Sequence, residues 1–515
     1  MNTKHQRSTR NDAAVADVML LLEGTYPFVR GGVSSWVHQL ICGLPEISFL
    51  LVFVGGRRSD YGEMRYELPK NVVGMELCYL EDALRGRAVG RYAYRTGRVV
   101  SQAEYLHACL RKGHAGADGA QVFQEIHEAL LRVGRPGGMS LRAFLARGKP
   151  FEYMRARHLE ADPDGPFVSY FWTLRMLHGP IFQLADVARR LPQARVMHSI
   201  STGYAGLLAT YLKARTGRPL VLTEHGVYTK ERRIDLNKAE WIDSVQPQVV
   251  GAGDPNRCVR ELWVRYFESL GRLTYGAAEP IISLFAGSQQ LQIRDGAKPE
   301  RTRVIVNGID LQRFAKALAA RPAEPPPVIG LIGRVVPIKD IKTFIRTVQI
   351  VAQQRPEVQG WLIGGTDEDP SYAKECHAMV KSLGVTENIR FLGHQDVVSM
   401  LPQLGALMLT SISEGQPLSV LEAFAAGVPC ITTDVGACRE QIEGRTDEDR
   451  ALGVAGRVVP FADAQGLADA ALWLLGDPEV HRSCARAALE RVRRYYSEQH
   501  MVQAYRDVYR RALEA

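Results

Sequence analysis

Short apolar runs alternate with helix-length amphipathic segments along most of this 515-residue chain. Such alternation is typical of parallel α/β sheets, in which a helix follows each strand and covers the sheet. The first repeat consists of a strand at Val18–Leu22, a turn with two glycines and a helix from about Ser34 to Leu44. A stiff proline-rich connector runs from Arg321 to Pro327, and a new strand follows it directly. The sequence therefore predicts two α/β domains.

We predict a first domain over residues 1–300, a second over residues 301–496 and a terminal helix over residues 497–515. Between about residues 74 and 191 the alternation weakens, which predicts a long helical insertion in the first domain. The other strands predicted before the connector are Phe49–Val54, Arg195–His198, Leu220–His225, Pro280–Ser283 and Val304–Val306. Those predicted in the second are Val328–Ile332, Gly360–Ile363, Ile389–Leu392, Ala406–Leu409 and Val428–Thr432.

The net charge of +8 has a local origin. Between Leu84 and His158 there are 14 Lys or Arg against 5 Asp or Glu, a local balance of +9. A basic face of this kind could meet phosphates, an acidic partner or an anionic membrane surface. A solvated arginine-rich helical face is the plainer alternative. Because the rest of the chain is close to neutral, we expect no nucleic-acid partner.

The apolar runs and the cysteines indicate the cellular compartment in which the protein is expected. No apolar run approaches the roughly 18–20 residues that cross a membrane. The eight cysteines are scattered and form no Cys-x-x-Cys pattern. In a chain of this size we expect reduced, mostly buried thiols and a cytoplasmic protein, with no zinc site.

The strongest motif lies in residues 411–427, where Glu414 and Glu422 stand eight positions apart. It follows a predicted strand and is predicted to begin a helix near Pro417, since proline suits the first helical turn. Free backbone N–H groups at that helix start, from Leu418 and Ser419, could hold an anion, and Glu414 could reach a polyol beyond it. Two plainer interpretations stay open: a capping box that joins Ser419 to Glu422, and an ordinary turn carboxylate at Glu414.

A second motif follows the first strand of the second domain. Arg334 and Lys339 stand five residues apart, and both could reach one diphosphate through charge-assisted hydrogen bonds. Two solvated cations in a loop are the alternative. No Walker-type loop is present, so the motif does not suggest ATP hydrolysis.

Weaker signals occur elsewhere. Gly31 and Gly32 would allow a backbone to approach a ligand closely, although a tight turn explains them equally well. His225 ends a predicted strand, where a structural role is as plausible as a catalytic one. Two Asp-x-Asp patterns, at residues 367–369 and 447–449, could hold Mg²⁺ against a diphosphate. We expect both to be solvated acidic loops and predict no metal site.

Taken together, the motifs resemble those of the retaining nucleotide-sugar glycosyltransferases of glycosyltransferase family 4, which have the GT-B fold. The matching segments are Gly31-Gly-Val33, Thr223-Glu-His-Gly226, Val306-Asn-Gly-Ile-Asp310, Gly333-Arg334 with Lys339-Asp340, and the pair Glu414 and Glu422. The opening segment Leu22–His38 and the long insertion more closely resemble a cytoplasmic subfamily that acts in Pel exopolysaccharide synthesis.

The resemblance implies an α/β fold with two Rossmann-like domains facing across a cleft and a terminal helix that crosses back onto the first. Arg334 and Lys339 would bind the donor diphosphate, Glu422 the ribose and Glu414 the hexose. The remaining implied donor contacts are His225 near the reacting carbon, Gly31 and Gly32 at the phosphates, His394 near the base, and the segment Gly415, Gln416, Pro417 and Leu418.

The resemblance also implies an activity: transfer of a hexose or N-acetylhexosamine, with retention, from UDP-glucose or a UDP-N-acetylhexosamine to a growing exopolysaccharide. No cofactor or metal would be needed. The basic stretch would dock an acidic acceptor, an inner-membrane polysaccharide synthase complex or the inner membrane surface. Two other functions stay open: a UDP-sugar epimerase on the same fold, and a non-catalytic nucleotide-sugar-binding subunit of a synthase complex.

Overall fold

The computed structural model of the chain describes residues 16–80, 167–237 and 257–515, and a few positions between 152 and 159. The chain divides into two compact units. Unit 1 consists of Met1–Ile282, Leu291–Arg303 and Arg506–Ala515. Unit 2 consists of Ser283–Gln290 and Val304–Tyr505.

The centre of unit 1 is a seven-stranded sheet in the order β3-β2-β1-β4-β5-β6-β7. Its strands are β1 Ala16–Glu23, β2 Phe49–Gly55, β3 Val72–Tyr79, β4 Ala194–Ser199, β5 Leu220–Glu224, β6 Ile281–Ser283 and β7 Thr302–Val304. Strand β1 pairs in parallel with β2 on one side and β4 on the other. The strand order therefore reverses between β1 and β4, and such a switch point is where ligands bind in open α/β sheets.

Helices cover the sheet of unit 1 because its central strands are apolar on both faces. In β1, Met19 and Leu21 belong to a core cluster on one face, while Leu20 and Leu22 are buried on the other. The helices described between the strands of this sheet are α1 Gly32–Gly43, α2 Phe167–Arg190, α3 Tyr204–Thr216, α4 Tyr228–Asn237, α5 Arg257–Ala277 and α6 Ala286–Arg294. The first part of α6, up to Gln290, belongs to unit 2.

Most of the predicted helical insertion lies outside the described residues. Its two described ends belong to the framework of unit 1. Val72–Tyr79 is the edge strand β3, paired along its length with β2. Helix α2 contributes Leu174, Leu177 and Ile181 to the core of the unit. The framework of unit 1 thus extends into both ends of the predicted range of about 74–191. The sequence does not mark β3, because it is a half-exposed edge strand without a continuous apolar run.

Unit 2 has a six-stranded sheet in the order β10-β9-β8-β11-β12-β13, with every neighbouring pair parallel. Its strands are β8 Val328–Ile332, β9 Gln359–Ile363, β10 Ile389–Gly393, β11 Ala406–Leu409, β12 Cys430–Thr433 and β13 Gly456–Val459. The strand order reverses between β8 and β11. Alternate residues of β8 enter two different core clusters, one on each face of the sheet.

The helices of unit 2 lie between its strands and after them. They are α7 Leu311–Ala319, α8 Ile341–Gln354, α9 Pro370–Ser382, α10 Val397–Met400, α11 Leu418–Ala425, α12 Cys438–Glu443, α13 Asp447–Arg450, α14 Ala464–Gly476 and α15 Pro478–Tyr495. The last helix, α16 Glu498–Glu514, begins in unit 2.

The last ten residues of the chain pack within unit 1. The Tyr509 hydroxyl lies 2.6 Å from Nδ1 of the buried His198, and Nε of Arg506 donates to Glu46 at 2.7 Å. Burial lowers the pKa of His198 to about 3, so its imidazole is neutral at physiological pH.

Two further properties concern cysteines and apolar helices. The cysteines whose environment the structure describes are all free: Cys42, Cys78, Cys376, Cys430, Cys438 and Cys484. Among the described residues, no helix combines the length and the apolar character that a membrane span requires.

Candidate functional site

Both segments that the sequence singles out in unit 2 lie at the switch point of its sheet. Gly333 and Arg334 directly follow β8, and residues 410–417 follow the neighbouring strand β11. The two loops are joined by backbone and side-chain hydrogen bonds. The N–H of Ile412 donates to the Ile338 carbonyl at 2.9 Å, and the Thr410 hydroxyl donates to the Lys339 carbonyl at 2.7 Å.

Lys339 and Glu414 form an ion pair across these loops. Lys339 Nζ lies 2.5 Å from Glu414 Oε1, and the two side chains are only 20% and 14% exposed. The Ser411 hydroxyl also donates to Glu414 Oε1 at 2.6 Å. Lys339 is therefore not a solvated cation and Glu414 is not an ordinary turn carboxylate. A largely buried pair of this kind places both charges at one defined position.

Helix α11 begins where the sequence predicts. Pro417 is its N-cap residue, in an extended conformation, and Leu418 is the first helical residue. The first backbone N–H groups of a helix have no acceptor within it, so this end of α11 can hold an anion. The alternative capping box is wrong, because Ser419 lies inside the helix and no side chain caps its start.

Glu422 lies in the second turn of α11. Burial raises the pKa of its carboxyl to about 7, although the charge of Arg313 acts in the opposite direction. Arg313 is held nearby on α7, a helix whose start is capped by Asp310 of the Val306–Asp310 motif. A partly buried carboxyl with so high a pKa is a candidate for ligand binding.

Arg334 has a different environment from Lys339. Its guanidinium Nη1 contacts both carboxylate oxygens of Glu368, at 2.6 and 2.5 Å, and both side chains are more than half exposed. Glu368 belongs to the loop that follows β9. Asp367 of the same loop lies 3.7 Å from Nε2 of His394, which follows β10 and is also exposed. The structure thus places Arg334, Lys339, His394 and Glu414 on loops at the carboxyl ends of the strands of unit 2, and Glu422 on the first helix after β11.

A third loop supports residues 414–417 from the side of β12. The N–H of Ala437 donates to the Gly415 carbonyl at 2.8 Å. Gly436 has φ +56°, and a Cβ there would lie 2.1 Å from the Gly415 oxygen. Gln416 is buried, and its side-chain carbonyl accepts from the N–H of Asn307 at 2.7 Å. Sequence reasoning missed Gly436, whose signal is a glycine three residues after a buried strand.

The remaining predicted residues lie in unit 1. Gly31 is the exposed N-cap of α1 and Gly32 its first residue, and a Cβ at Gly31 would meet nothing within 4 Å. Trp36 of this helix packs edge-to-face against His225, with ring centroids 4.4 Å apart.

Burial lowers the pKa of His225 to about 3, so the ring is neutral. Its Nε2 is buried and has no hydrogen-bond partner among the described residues. An unpaired polar atom of this kind is either costly or reserved for a ligand.

Two carboxylates of unit 1 also escaped sequence reasoning. Glu224, next to His225, is 1% exposed and accepts hydrogen bonds from Tyr275, Gln292 and Thr202. Burial raises the pKa of its carboxyl. Glu23, at the end of β1, accepts from Tyr228 and from the backbone N–H of Ala205. An acid within or at the end of an apolar strand is the signal that could have found both.

The two Asp-x-Asp patterns are only partly the solvated loops that the sequence predicts. Asp369 caps α9, accepting from the N–H of Tyr372 at 3.0 Å. Asp449 lies in the short helix α13, not in a loop, and is 1% exposed. It is paired with the fully buried Arg491, whose Nε lies 2.6 Å from Oδ1. The part of the chain that the structure describes contains no group of three or more His, Cys, Asp or Glu that could hold a metal ion.

Two family models match this chain. A family described as a domain of unknown function (DUF3492) matches residues 16–300, more than half of the chain. The family described as glycosyl transferases group 1 matches residues 326–477, within unit 2.

Two curated relatives are each similar to part of this chain. An N-acetyl-alpha-D-glucosaminyl L-malate synthase from Bacillus anthracis is 37% identical over 132 residues, which are 25% of this chain and 32% of the relative. A D-inositol 3-phosphate glycosyltransferase from Kribbella flavida is 29% identical over 310 residues, 57% of this chain and 65% of the relative. The chain thus spans less than two thirds of the length of either protein.

The fold is similar to that of Anabaena HepE, whose structure was solved in complex with UDP. The TM-score is 0.58 at 14% identity, over 96% of this chain and 99% of that chain. At that identity the likeness concerns the fold alone, and it confirms the predicted GT-B class. The chain therefore belongs to the DUF3492 family, and its unit 2 carries a group 1 glycosyltransferase domain.

Proposed function

We propose that this protein is a retaining glycosyltransferase of family 4, which transfers a hexose or N-acetylhexosamine from a UDP-sugar to a growing exopolysaccharide. The observation that carries the proposal is the ion pair of Lys339 and Glu414 beside the start of α11, at the switch point of the unit 2 sheet. A sugar diphosphate can be bound by a cation and free backbone N–H groups at its phosphates and by a carboxylate that accepts hydrogen bonds from its hydroxyls.

The arrangement suggests which part of the donor each of these residues of unit 2 binds. The diphosphate would take the start of α11 with Lys339 and Arg334, which stabilise the charge that develops on the leaving nucleotide. Glu414 would then accept hydrogen bonds from the hexose hydroxyls. Glu422, four residues into α11, would accept from the ribose, and His394 would lie toward the base.

Retention is proposed to proceed by same-face attack through an oxocarbenium-like state, with the leaving phosphate accepting the acceptor's proton. Double displacement requires a free carboxylate nucleophile at the anomeric carbon. Glu414 is engaged by Lys339 and Ser411, which suits it to positioning the sugar. We propose that His225, with its unpaired Nε2, contacts the donor sugar and that Gly31 and Gly32 approach the phosphates.

The proposed donors, UDP-glucose and UDP-N-acetylhexosamines, follow from the resemblance, and solved complexes of Anabaena HepE contain UDP-glucose and UDP. The likeness of the opening segment and the insertion to PelF-type enzymes supports an acceptor in Pel synthesis and association with an inner-membrane synthase complex. The reaction is proposed to need no metal ion.

A panel of nucleotide sugars tests the proposal. We expect purified protein to bind UDP and one UDP-sugar in calorimetry and to release UDP when acceptor oligosaccharide is added. Lys339→Ala and Glu414→Ala should each reduce transfer by about 100-fold or more, in the range seen when one electrostatic contact to the transition state is removed.

Lys381→Ala is the matched control, because this exposed lysine lies at the last turn of α9, away from the strand ends. Folding of all variants is checked by their melting temperatures. Near wild-type transfer by Lys339→Ala or Glu414→Ala would remove the proposed site. Interconversion of the donor sugar without acceptor, seen by NMR, would instead identify an epimerase.

A further inference from the structure

We propose that Glu368 sets the affinity of the site for the nucleotide by partly neutralising Arg334, so that nucleoside diphosphate binds more weakly than the site's cations alone would allow. This inference rests on the proposed function, since it assumes that Arg334 faces a diphosphate. It assigns a role to the middle residue of the Asp-x-Asp pattern at residues 367–369, which the sequence predicts to be only a solvated acidic loop.

The contact is direct. Both oxygens of the Glu368 carboxylate lie within 2.6 Å of the same guanidinium nitrogen, Nη1 of Arg334. Among the residues that the structure describes, Glu368 has no other side-chain hydrogen bond or ion pair, and its side chain is half exposed. The contact therefore serves no buried structural network, unlike the pair of Asp449 and Arg491.

The backbone holds Glu368 opposite Arg334. The loops after β8 and β9 run against each other: the N–H of Val335 donates to the Gly365 carbonyl at 2.9 Å, and a Cβ at Gly364 would lie 1.9 Å from the Gly333 carbonyl. Beyond Glu368, Asp369 fixes the chain by capping α9. Glu368 thus has only a short span between two anchored points.

Electrostatics gives the sign of the effect. A diphosphate carries negative charge, and a carboxylate on the cation that should attract it opposes binding. Because the pair is half exposed, the effect is small: exposed ion pairs are worth up to about 1 kcal/mol, which corresponds to about fivefold in affinity. Weaker binding of the nucleotide also favours its release after transfer, a step that limits many enzymes.

Glu368→Gln tests the inference by removing the charge and keeping the shape. In calorimetry with UDP as the probe, we expect this variant to bind about two- to fivefold more tightly than wild type. The gain should disappear in the Arg334→Ala background and should shrink in about 1 M salt, where surface charges are screened.

Glu387→Gln is the matched control. It makes the same change of charge at an exposed glutamate that precedes β10. This residue lies at the amino ends of the strands, whereas the proposed site lies at their carboxyl ends, so the change should leave UDP affinity unchanged. Equal or weaker binding of UDP by Glu368→Gln would overturn the inference, and weaker binding would make Glu368 a residue that orients Arg334. A wild-type protein that binds no UDP would overturn the proposed function itself, so the two failures are distinguishable.

Discussion

The raised pKa of Glu422 is a property of the proposed site that can be measured without a substrate. Its folded-state pKa of about 7 lies above the ordinary value for glutamate, so the folded protein holds a proton that the unfolded chain releases. Stability should therefore fall as the pH rises from about 4.5 to 7 and stay level above that range. At pH 8 the free energy of unfolding should be lower than at pH 4.5 by on the order of 1–3 kcal/mol from this group.

Glu422→Gln removes this dependence, because an amide has the shape of the protonated acid. We expect the melting temperature of the variant to exceed that of wild type at pH 8 by several degrees and to match it near pH 4.5. Glu387→Gln, at an exposed position, should show no such trend. A difference between Glu422→Gln and wild type that is constant with pH would show that Glu422 ionises normally.

The sequence indicated which residues belong to the proposed site, but it did not indicate which of them pair with each other. Lys339 and Glu414 are 75 positions apart, and their pairing depends on β8 and β11 being neighbours, which local patterns do not reveal. The same holds for Glu368 with Arg334. Asp449 was mistaken for a solvated acid because its partner, Arg491, is more than forty residues away in the chain.

At the scale of elements, the loop that follows β12 fixes the position of the loop that carries Glu414. Gly436 meets two constraints there: its positive φ, and a backbone oxygen 2.1 Å from where a Cβ would lie. An alanine would pay the cost of the left-handed conformation, about 1–2 kcal/mol, and would also displace Gly415.

Gly436→Ala should therefore bind UDP at least about tenfold more weakly and melt at a lower temperature, because a displacement of the loop misplaces Glu414 and the start of α11. Gly384→Ala is the matched control: its φ of +67° is similar, and a Cβ there meets nothing within 4 Å. The control should lose stability and keep UDP affinity. Equal UDP affinities for the two variants would show that Gly436 does not position the loop.

The accuracy of the strand predictions depended on burial. The central strands β1, β2, β8 and β11 are buried on both faces and stand in the sequence as continuous apolar runs, and each was found within a few residues of its predicted position. Of the four edge strands, β7 and β10 were found within a few residues of their predicted positions, whereas β3 and β13 were missed. Strand β3 is half exposed, and β13 has four residues that begin with a glycine at φ +146°.

At the scale of the whole molecule, charge and chemistry are separated along the chain. The motifs of the proposed site lie in residues 31–32, 223–226 and 306–422, whereas the local charge excess of +9 lies between Leu84 and His158. If this separation reflects function, the basic stretch serves an anionic partner and contributes nothing to the binding of the nucleotide.

Charge reversal tests this separation. Replacing Arg85, Arg87, Arg91, Arg95 and Arg98 by Glu changes the balance between Leu84 and His158 from +9 to −1, because each replacement removes a positive charge and adds a negative one. We expect the variant to associate less with phosphatidylglycerol vesicles than wild type at low salt, because polybasic segments gain about 1 kcal/mol per cation at an anionic surface. UDP affinity should stay within about twofold of wild type, since none of these arginines belongs to the motifs proposed to bind the nucleotide. A matched loss of UDP binding would place the basic stretch in the active site and refute the division of the chain into a catalytic and a docking part.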